Sequence, residues 1–104
     1  MIIPRGLVDQ RQIQAGVATA AKGLRPDVVR IRYDVGEDWS GEPSLFFRVV
    51  LSDGASAEKR LYSNVQRITA AVLDAVKPEE LGLHAYFNFR SKSEQEQLRE
   101  PSWS

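Results

Sequence analysis

The stretch Val28–Leu51, VVRIRYDVGEDWSGEPSLFFRVVL, decides the fold, because it contains two runs in which apolar and polar residues alternate. The first run places four apolar side chains on one face: Val29, Ile31, Tyr33 and Val35. The run Leu45–Leu51 alternates in the same way. A period of two is typical of a β-strand with one buried face, and the Gly, Pro and acidic residues between the runs are typical of a turn. The stretch therefore predicts two strands joined by an acidic loop.

Outward from this hairpin, the chain alternates between helical and strand patterns. Apolar residues at helical spacing predict a first helix from about Leu7 to Leu24. A second helix is predicted from the stripe Leu61, Val65, Ile68, Val72 and Ala75 or Val76, and Pro78 ends it. A third strand is predicted over Leu83–Arg90, with one apolar face formed by Leu83, Ala85, Phe87 and Phe89.

The order of elements, α-β-β-α-β, predicts an α+β fold. Because each helix has one apolar stripe and each strand one apolar face, two layers with both helices on one side of the sheet are expected. We predict a three-stranded antiparallel sheet in the order 2-1-3. The element order is similar to that of the small α+β domains of cation-efflux transporters and of a reduced type II KH domain. The resemblance covers element order alone, because the chain has no Gly-x-x-Gly motif.

Length and composition limit the classes of function. A chain of 104 residues with 42% hydrophobic residues predicts one soluble domain over residues 1–104. The formal net charge is zero, so no overall field attracts nucleic acid or an acidic membrane. The absence of cysteine excludes disulfides and thiolate chemistry, and one histidine cannot form a His-rich metal site, so we expect neither a metal nor a cofactor. No signal peptide or membrane span is recognised, which predicts a cytoplasmic protein without a membrane partner.

If the helices cover one face of the sheet, the polar residues of the strands gather on the other. We call this surface the arginine face; its members are Arg30, Arg32, Phe46, Arg48, His84, Tyr86, Asn88 and Arg90. Arginine forks bind carboxylate or phosphate, and aromatic rings stack on bases, so an RNA site is one interpretation. A solvated sheet with cross-strand charge pairs is another. A homodimer or partner interface fits the apolar members better.

The loop between the first two strands is the second candidate feature. It carries four carboxylates and a tryptophan: Asp34, Glu37, Asp38, Trp39 and Glu42. Carboxylates bind Mg²⁺ or Ca²⁺, but the spacing matches no EF-hand. A solvated loop and a contact with the arginine face of a second copy are the other interpretations.

The third feature is the polar C-terminal tail, residues 91–104, in which Ser93–Glu96 resembles a capping box. This pattern predicts a short helix, and a disordered tail is the alternative. Trp103 is a candidate anchor for a partner protein.

These features predict a small non-enzymatic module that acts through protein association. It would be a homo-oligomer, or an accessory or regulatory subunit such as the neutralising half of a toxin–antitoxin type pair. RNA or nucleotide binding through the arginine face is the first alternative. A small enzyme that uses His84 as acid or base, with Asp34 as partner, is the second, although no catalytic motif is present and no catalytic residue is assigned.

Overall fold

The computed structural model describes residues 10–104 and contains a three-stranded mixed sheet with three α-helices. Its strands are β1 (Val28–Glu37), β2 (Pro43–Leu51) and β3 (His84–Ser91), in the order β1-β2-β3. β1 and β2 are antiparallel, whereas β2 and β3 are parallel. The α+β class is thus confirmed, but the predicted order 2-1-3 and the purely antiparallel sheet are wrong.

β2 occupies the centre of the sheet because it is apolar on both faces. Val49, Val50 and Leu51 are consecutive, so they alternate between the two faces, and none is more than 1% exposed. A near-continuous apolar run is typical of a strand that is covered on both sides. The long connection through a helix then places β3 parallel to β2 and next to it, as in other β-α-β units.

The helices are α1 (Gln10–Gly23), α2 (Glu58–Val76) and α3 (Lys92–Leu98). Residues 7–9 of the predicted first helix lie outside the described residues. α1 and α2 cover one face of the sheet, where their apolar residues form a continuous core with those of the strands: Ile13, Ala20, Ile68, Val72, Val76, Ile31, Val35, Leu45, Phe47, Val49 and Leu51. There are also two 3-10 turns: one precedes β3 (Pro78–Leu81), and the other follows α3 (Pro101–Trp103).

α2 contacts the core through three residues of the predicted stripe, Ile68, Val72 and Val76, and departs from that stripe only at its start. Its buried residues recur every fourth position: Asn64, Ile68, Val72 and Val76. Leu61, which the sequence pattern placed in the stripe, is 39% exposed. Near its C-terminal end the backbone of α2 lies against α1, since a Cβ added at Gly16 would lie 2.7 Å from the main-chain oxygen of Ala75. Glycine is therefore required sterically at this helix crossing.

A β-bulge near the start of β1 reverses the alternation expected there. The register with β2 shifts between Val28 and Arg30. As a result Val28 is 2% exposed and Val29 is 39% exposed, the opposite of the predicted orientation. From Ile31 onward the alternation follows the prediction. An extra residue in one strand of a pair produces this change of face.

Candidate functional site

The face of the sheet opposite α1 and α2 carries the predicted arginine face in aligned cross-strand rows. In the register of β1, β2 and β3, the rows are Arg30–Val50–Arg90, Arg32–Arg48–Asn88, Asp34–Phe46–Tyr86 and Gly36–Ser44–His84. Paired residues in neighbouring strands project to the same side of a sheet. All eight predicted members therefore share one face, which the sequence pattern predicted correctly.

Part of this face is covered, because the C-terminal tail lies across it, whereas His84 and Asn88 remain exposed. Three arginines donate from Nε to three successive main-chain oxygens of the tail. Arg48 donates to Ser102 at 2.7 Å, Arg30 to Trp103 at 2.8 Å, and Arg32 to Ser104 at 2.7 Å. The tail thus forms a third layer over β1 and β2, and the arginines hold it through its backbone.

Trp103 is the side chain that anchors the tail. It is 7% exposed, and the guanidinium carbon of Arg90 lies 4.2 Å from the centroid of its ring, within the range of a cation–π contact. Arg90 also donates to a carboxylate oxygen of Glu100 at 2.7 Å and to the side-chain oxygen of Gln95 at 3.1 Å. The predicted anchor is therefore docked on its own chain, over the row that contains Arg30, Val50 and Arg90.

The connection between β3 and the tail is short and well capped. Ser91, the last residue of β3, is also the N-cap of α3, and it forms a capping box with Glu94. The predicted capping box began two residues later, at Ser93, which instead bonds to Asp53. At the other end Arg99 adopts a left-handed conformation (φ 51°), which ends the helix before the tail. The helix C-terminus is thus turned so that residues 100–104 return over the sheet.

Asp38 organises the loop between β1 and β2. Its Oδ1 accepts from the main-chain N–H groups of Ser40 (2.9 Å) and Glu42 (3.0 Å) and from the Ser40 hydroxyl (2.6 Å). Its Oδ2 accepts from the hydroxyl of Tyr86 at 2.7 Å. The bonds from Ser40 first, and from Tyr86 next, hold the pKa of Asp38 well below its usual range, and the Asp38 carboxylate in turn raises the pKa of Tyr86.

The fixed loop presents Trp39 to solvent. The side chain of Trp39 is 85% exposed, although its ring centroid lies 5.3 Å from that of Tyr86. Tyr86 stacks in turn on Phe46, at 5.5 Å between centroids. Trp39 is therefore the outer ring in a series of three aromatic rings, and the middle ring, Tyr86, is hydrogen-bonded to Asp38.

The remaining predicted site residues do not form a catalytic group. His84 lies on β3 and Asp34 on β1, so β2 separates them by about 10 Å of sheet. Glu37 and Glu42 are exposed beside Trp39, at the two ends of the loop. Within residues 10–104 no three acidic or histidine side chains come together as a metal site.

The contribution of the tail backbone is the part of the site that sequence reasoning missed. Main-chain oxygens of Ser102, Trp103 and Ser104 have no residue-type signature, so nothing in the tail identified them as acceptors. One signal was present: four arginines on one face of a chain with zero net charge need acceptors, and the capping residues predicted a helix that could return the chain. Gln95, whose Nε2 donates to the main-chain oxygen of Glu100 at 2.8 Å, completes the return.

Comparison of the chain with protein-family models, with curated proteins and with solved structures finds no match. Among the described residues, no helix has both the length and the apolar character that crossing a membrane requires.

Proposed function

We propose that this protein is a small non-enzymatic interaction module, an accessory or regulatory subunit that binds a protein partner through Trp39. The observation that carries the proposal is the combination of exposure and rigidity at this residue. A large aromatic side chain that is 85% exposed gains little from folding. Yet the loop that holds it is fixed by the bonds to Asp38 described above, which reach β3 through Tyr86.

Such a geometry suits binding for two physical reasons. Tryptophan is among the residues that most often dominate the affinity of a protein interface. A loop that is already ordered loses less conformational entropy when a partner binds. The tail supports the same class of function, since the arginine face already holds the last residues of this chain through their main-chain oxygens.

The charges around Trp39 favour a basic partner surface. Glu37 and Glu42 are exposed at the two ends of the loop that carries Trp39, and Asp38 directly precedes Trp39 in the chain. An apolar pocket rimmed by Lys or Arg would complement this arrangement. The same carboxylates repel phosphate, and the arginines that would bind it donate from Nε to the tail. The RNA alternative is therefore less well supported than the protein partner.

The experiment compares the partners retained by three forms of the protein from extracts of its native cells. Wild type, Trp39→Ala and the matched control Tyr62→Ala are immobilised, and retained proteins are quantified by mass spectrometry. Tyr62 is also an exposed aromatic residue, at 75%, but it lies on α2. We expect one protein to be retained by wild type and Tyr62→Ala and lost with Trp39→Ala.

The retained protein is then purified and its affinity measured at two salt concentrations. We expect Trp39→Ala to weaken binding about tenfold or more, and salt to weaken binding to wild type. Equal binding of wild type and Trp39→Ala to every retained protein would disprove the role of Trp39. If ribonuclease releases the retained proteins and RNA is found bound to the purified protein, the RNA alternative would replace the proposal.

A further inference from the structure

The last five residues of the tail, 100–104, dock on the arginine face as a nearly separate unit. Trp103 is the only buried side chain among them, and the other four residues are exposed. Residues 101–103 form a 3-10 turn with two internal main-chain bonds of 3.1 Å each. Oxygens at the end of such a turn have no partner within it, and the arginines donate to them. The segment therefore brings its own conformation and needs only the face to complete its bonds.

The hinge that returns this segment to its own sheet is short and strained. α3 ends at Leu98 and the 3-10 turn begins at Pro101, so only Arg99 and Glu100 link them. Arg99 has φ 51° and ψ 35°, a left-handed conformation that is less favourable for a residue with a Cβ than for glycine. A short hinge under strain favours exchange of the segment that follows it between two copies of a protein.

We propose that two copies of this chain exchange their tails, so that residues 100–104 of each copy dock on the arginine face of the other. The occupant of the face is the segment that the structure shows there, and a second copy supplies an identical one. Each contact of the closed chain can then form between chains: the three bonds from arginine Nε, the ion pair of Arg90 with Glu100, and the cation–π contact with Trp103. This association goes beyond the proposed function, because it does not involve Trp39.

The exchange places the ends of the two α3 helices side by side. Gln95 of α3 donates to the main-chain oxygen of Glu100 at 2.8 Å, so a tail docked on a second copy lies against that copy's α3. Glu100 directly follows Arg99, and consecutive Cα atoms are about 3.8 Å apart. The last turns of both helices therefore meet near a two-fold axis. Leu98, the last residue of α3, is 54% exposed in the closed chain, and the second copy covers it in the dimer.

Charge does not decide between the closed chain and the exchanged dimer. The face presents the same charged side chains to either tail: Arg30, Arg32, Arg48, Arg90 and Asp34. α3 and its C-cap carry two charges of each sign: Lys92, Glu94, Glu96 and Arg99. The dimer therefore gains the relief of two hinges and the burial of two Leu98 side chains. It loses the entropy of association, so dimerisation depends on concentration.

Reversing one charge in each of two variants distinguishes docking within a chain from docking between chains. Arg90→Glu brings two carboxylates together and Glu100→Arg brings two guanidiniums together, so neither variant matches its own tail. In an exchanged pair of the two variants, each tail meets a face of opposite charge. After joint unfolding in urea and refolding, we expect native mass spectrometry to show a one-to-one heterodimer. It should dissociate about tenfold less readily than either homodimer. The matched control with both substitutions in one chain should behave as wild type.

Glycine at the hinge tests the source of the driving force in a chain that keeps its stability. We expect wild type to show a monomer–dimer equilibrium in analytical ultracentrifugation. Arg99→Gly is expected to weaken dimerisation about tenfold or more, because glycine adopts the closed hinge without strain at both ends of the dimer. Lys77, at the C-cap of α2, has the same left-handed conformation (φ 55°). The matched control Lys77→Gly should therefore leave dimerisation unchanged.

Three results would each overturn the exchange of tails. They are a wild type that stays monomeric at every concentration, a mixture of the charge variants without heterodimer, and a dimer that Arg99→Gly leaves unchanged. The two proposals fail separately. Trp39→Ala is expected to dimerise as wild type does, and Arg99→Gly is expected to keep the partner that binds through Trp39.

Discussion

The two tryptophans of this chain provide a sharp test of the structure, because they differ completely in burial. Trp103 is 7% exposed and Trp39 is 85% exposed. We predict that Trp103→Ala strongly destabilises the fold, whereas Trp39→Ala leaves the free energy of unfolding within about 0.5 kcal/mol of wild type. The two substitutions are identical in chemistry, so the difference reports the surroundings of each side chain.

The expected size of the effect follows from what Trp103 contacts. Replacing a buried tryptophan by alanine usually costs about 3–5 kcal/mol. The contact with Arg90 contributes within this figure, since cation–π contacts are worth about 0.5–2 kcal/mol. The tail is short, and if it detaches, residues 100–104 regain conformational entropy, which limits the loss. We therefore expect a loss near the lower end, about 3 kcal/mol.

Urea unfolding followed by circular dichroism measures this loss directly. For a domain of this size, about 3 kcal/mol corresponds to a fall in melting temperature of about 12–24 °C. The mean emission of the intrinsic fluorescence should also shift to longer wavelength with Trp103→Ala, because the remaining tryptophan is the exposed one. A loss below about 1 kcal/mol with Trp103→Ala would show that the tail is not docked as described.

Four further predictions concern the helix crossing, the loop and the α3 cap. Gly16→Ala should destabilise the protein by about 1–3 kcal/mol in the same urea titration, because the added Cβ meets the backbone of α2. The matched control Gly23→Ala has no atom within 4 Å of its added Cβ, and it should be neutral or stabilising because alanine favours helix more than glycine does. Because the pKa of Asp38 is lowered by folding, its carboxylate stabilises the fold at pH values above the ordinary carboxyl pKa near 4, and this stabilisation is lost as the pH falls. The difference in melting temperature between wild type and Asp38→Asn should therefore shrink from pH 7 to pH 2. Ultraviolet titration should show Tyr86 ionising above an ordinary tyrosine, and Asp38→Asn should lower its pKa; an unchanged titration would contradict the bond between them. Ser91→Ala should cost about 1 kcal/mol in the same unfolding assay, and no loss would contradict its capping role.

Most local features of the strands could be predicted from sequence, but the order of the strands could not. The alternation in β1, β2 and β3 correctly assigned residues from Ile31 onward to the core or to the arginine face. The order failed because alternation describes one buried face, whereas β2 is covered on both. The consecutive apolar residues Val49, Val50 and Leu51 were a usable signal for a central strand. The bulge after Val28 has no such signal, because valine fits either face.

The residues of the arginine face were predicted from sequence, but the docking of the tail on that face was not. Sequence reasoning gathered the arginines, Phe46 and Tyr86 on one surface and identified Trp103 as an anchor. It expected a fully open face, since the acceptors that cover part of it belong to the main chain of residues 102–104. The exposure of Trp39 could not be inferred either, because a tryptophan beside acidic residues packs under a sheet edge as readily as it projects from one.

The way in which the tail is held has a consequence for how this protein can vary in evolution. Arg30, Arg32 and Arg48 donate to main-chain oxygens, which every amino acid possesses. Ser102 and Ser104 can therefore drift in identity without altering those bonds, whereas the three donors and Trp103 cannot. Selection on this segment would preserve one aromatic residue and a path of the chain, and would leave little recognisable similarity in the letters around it.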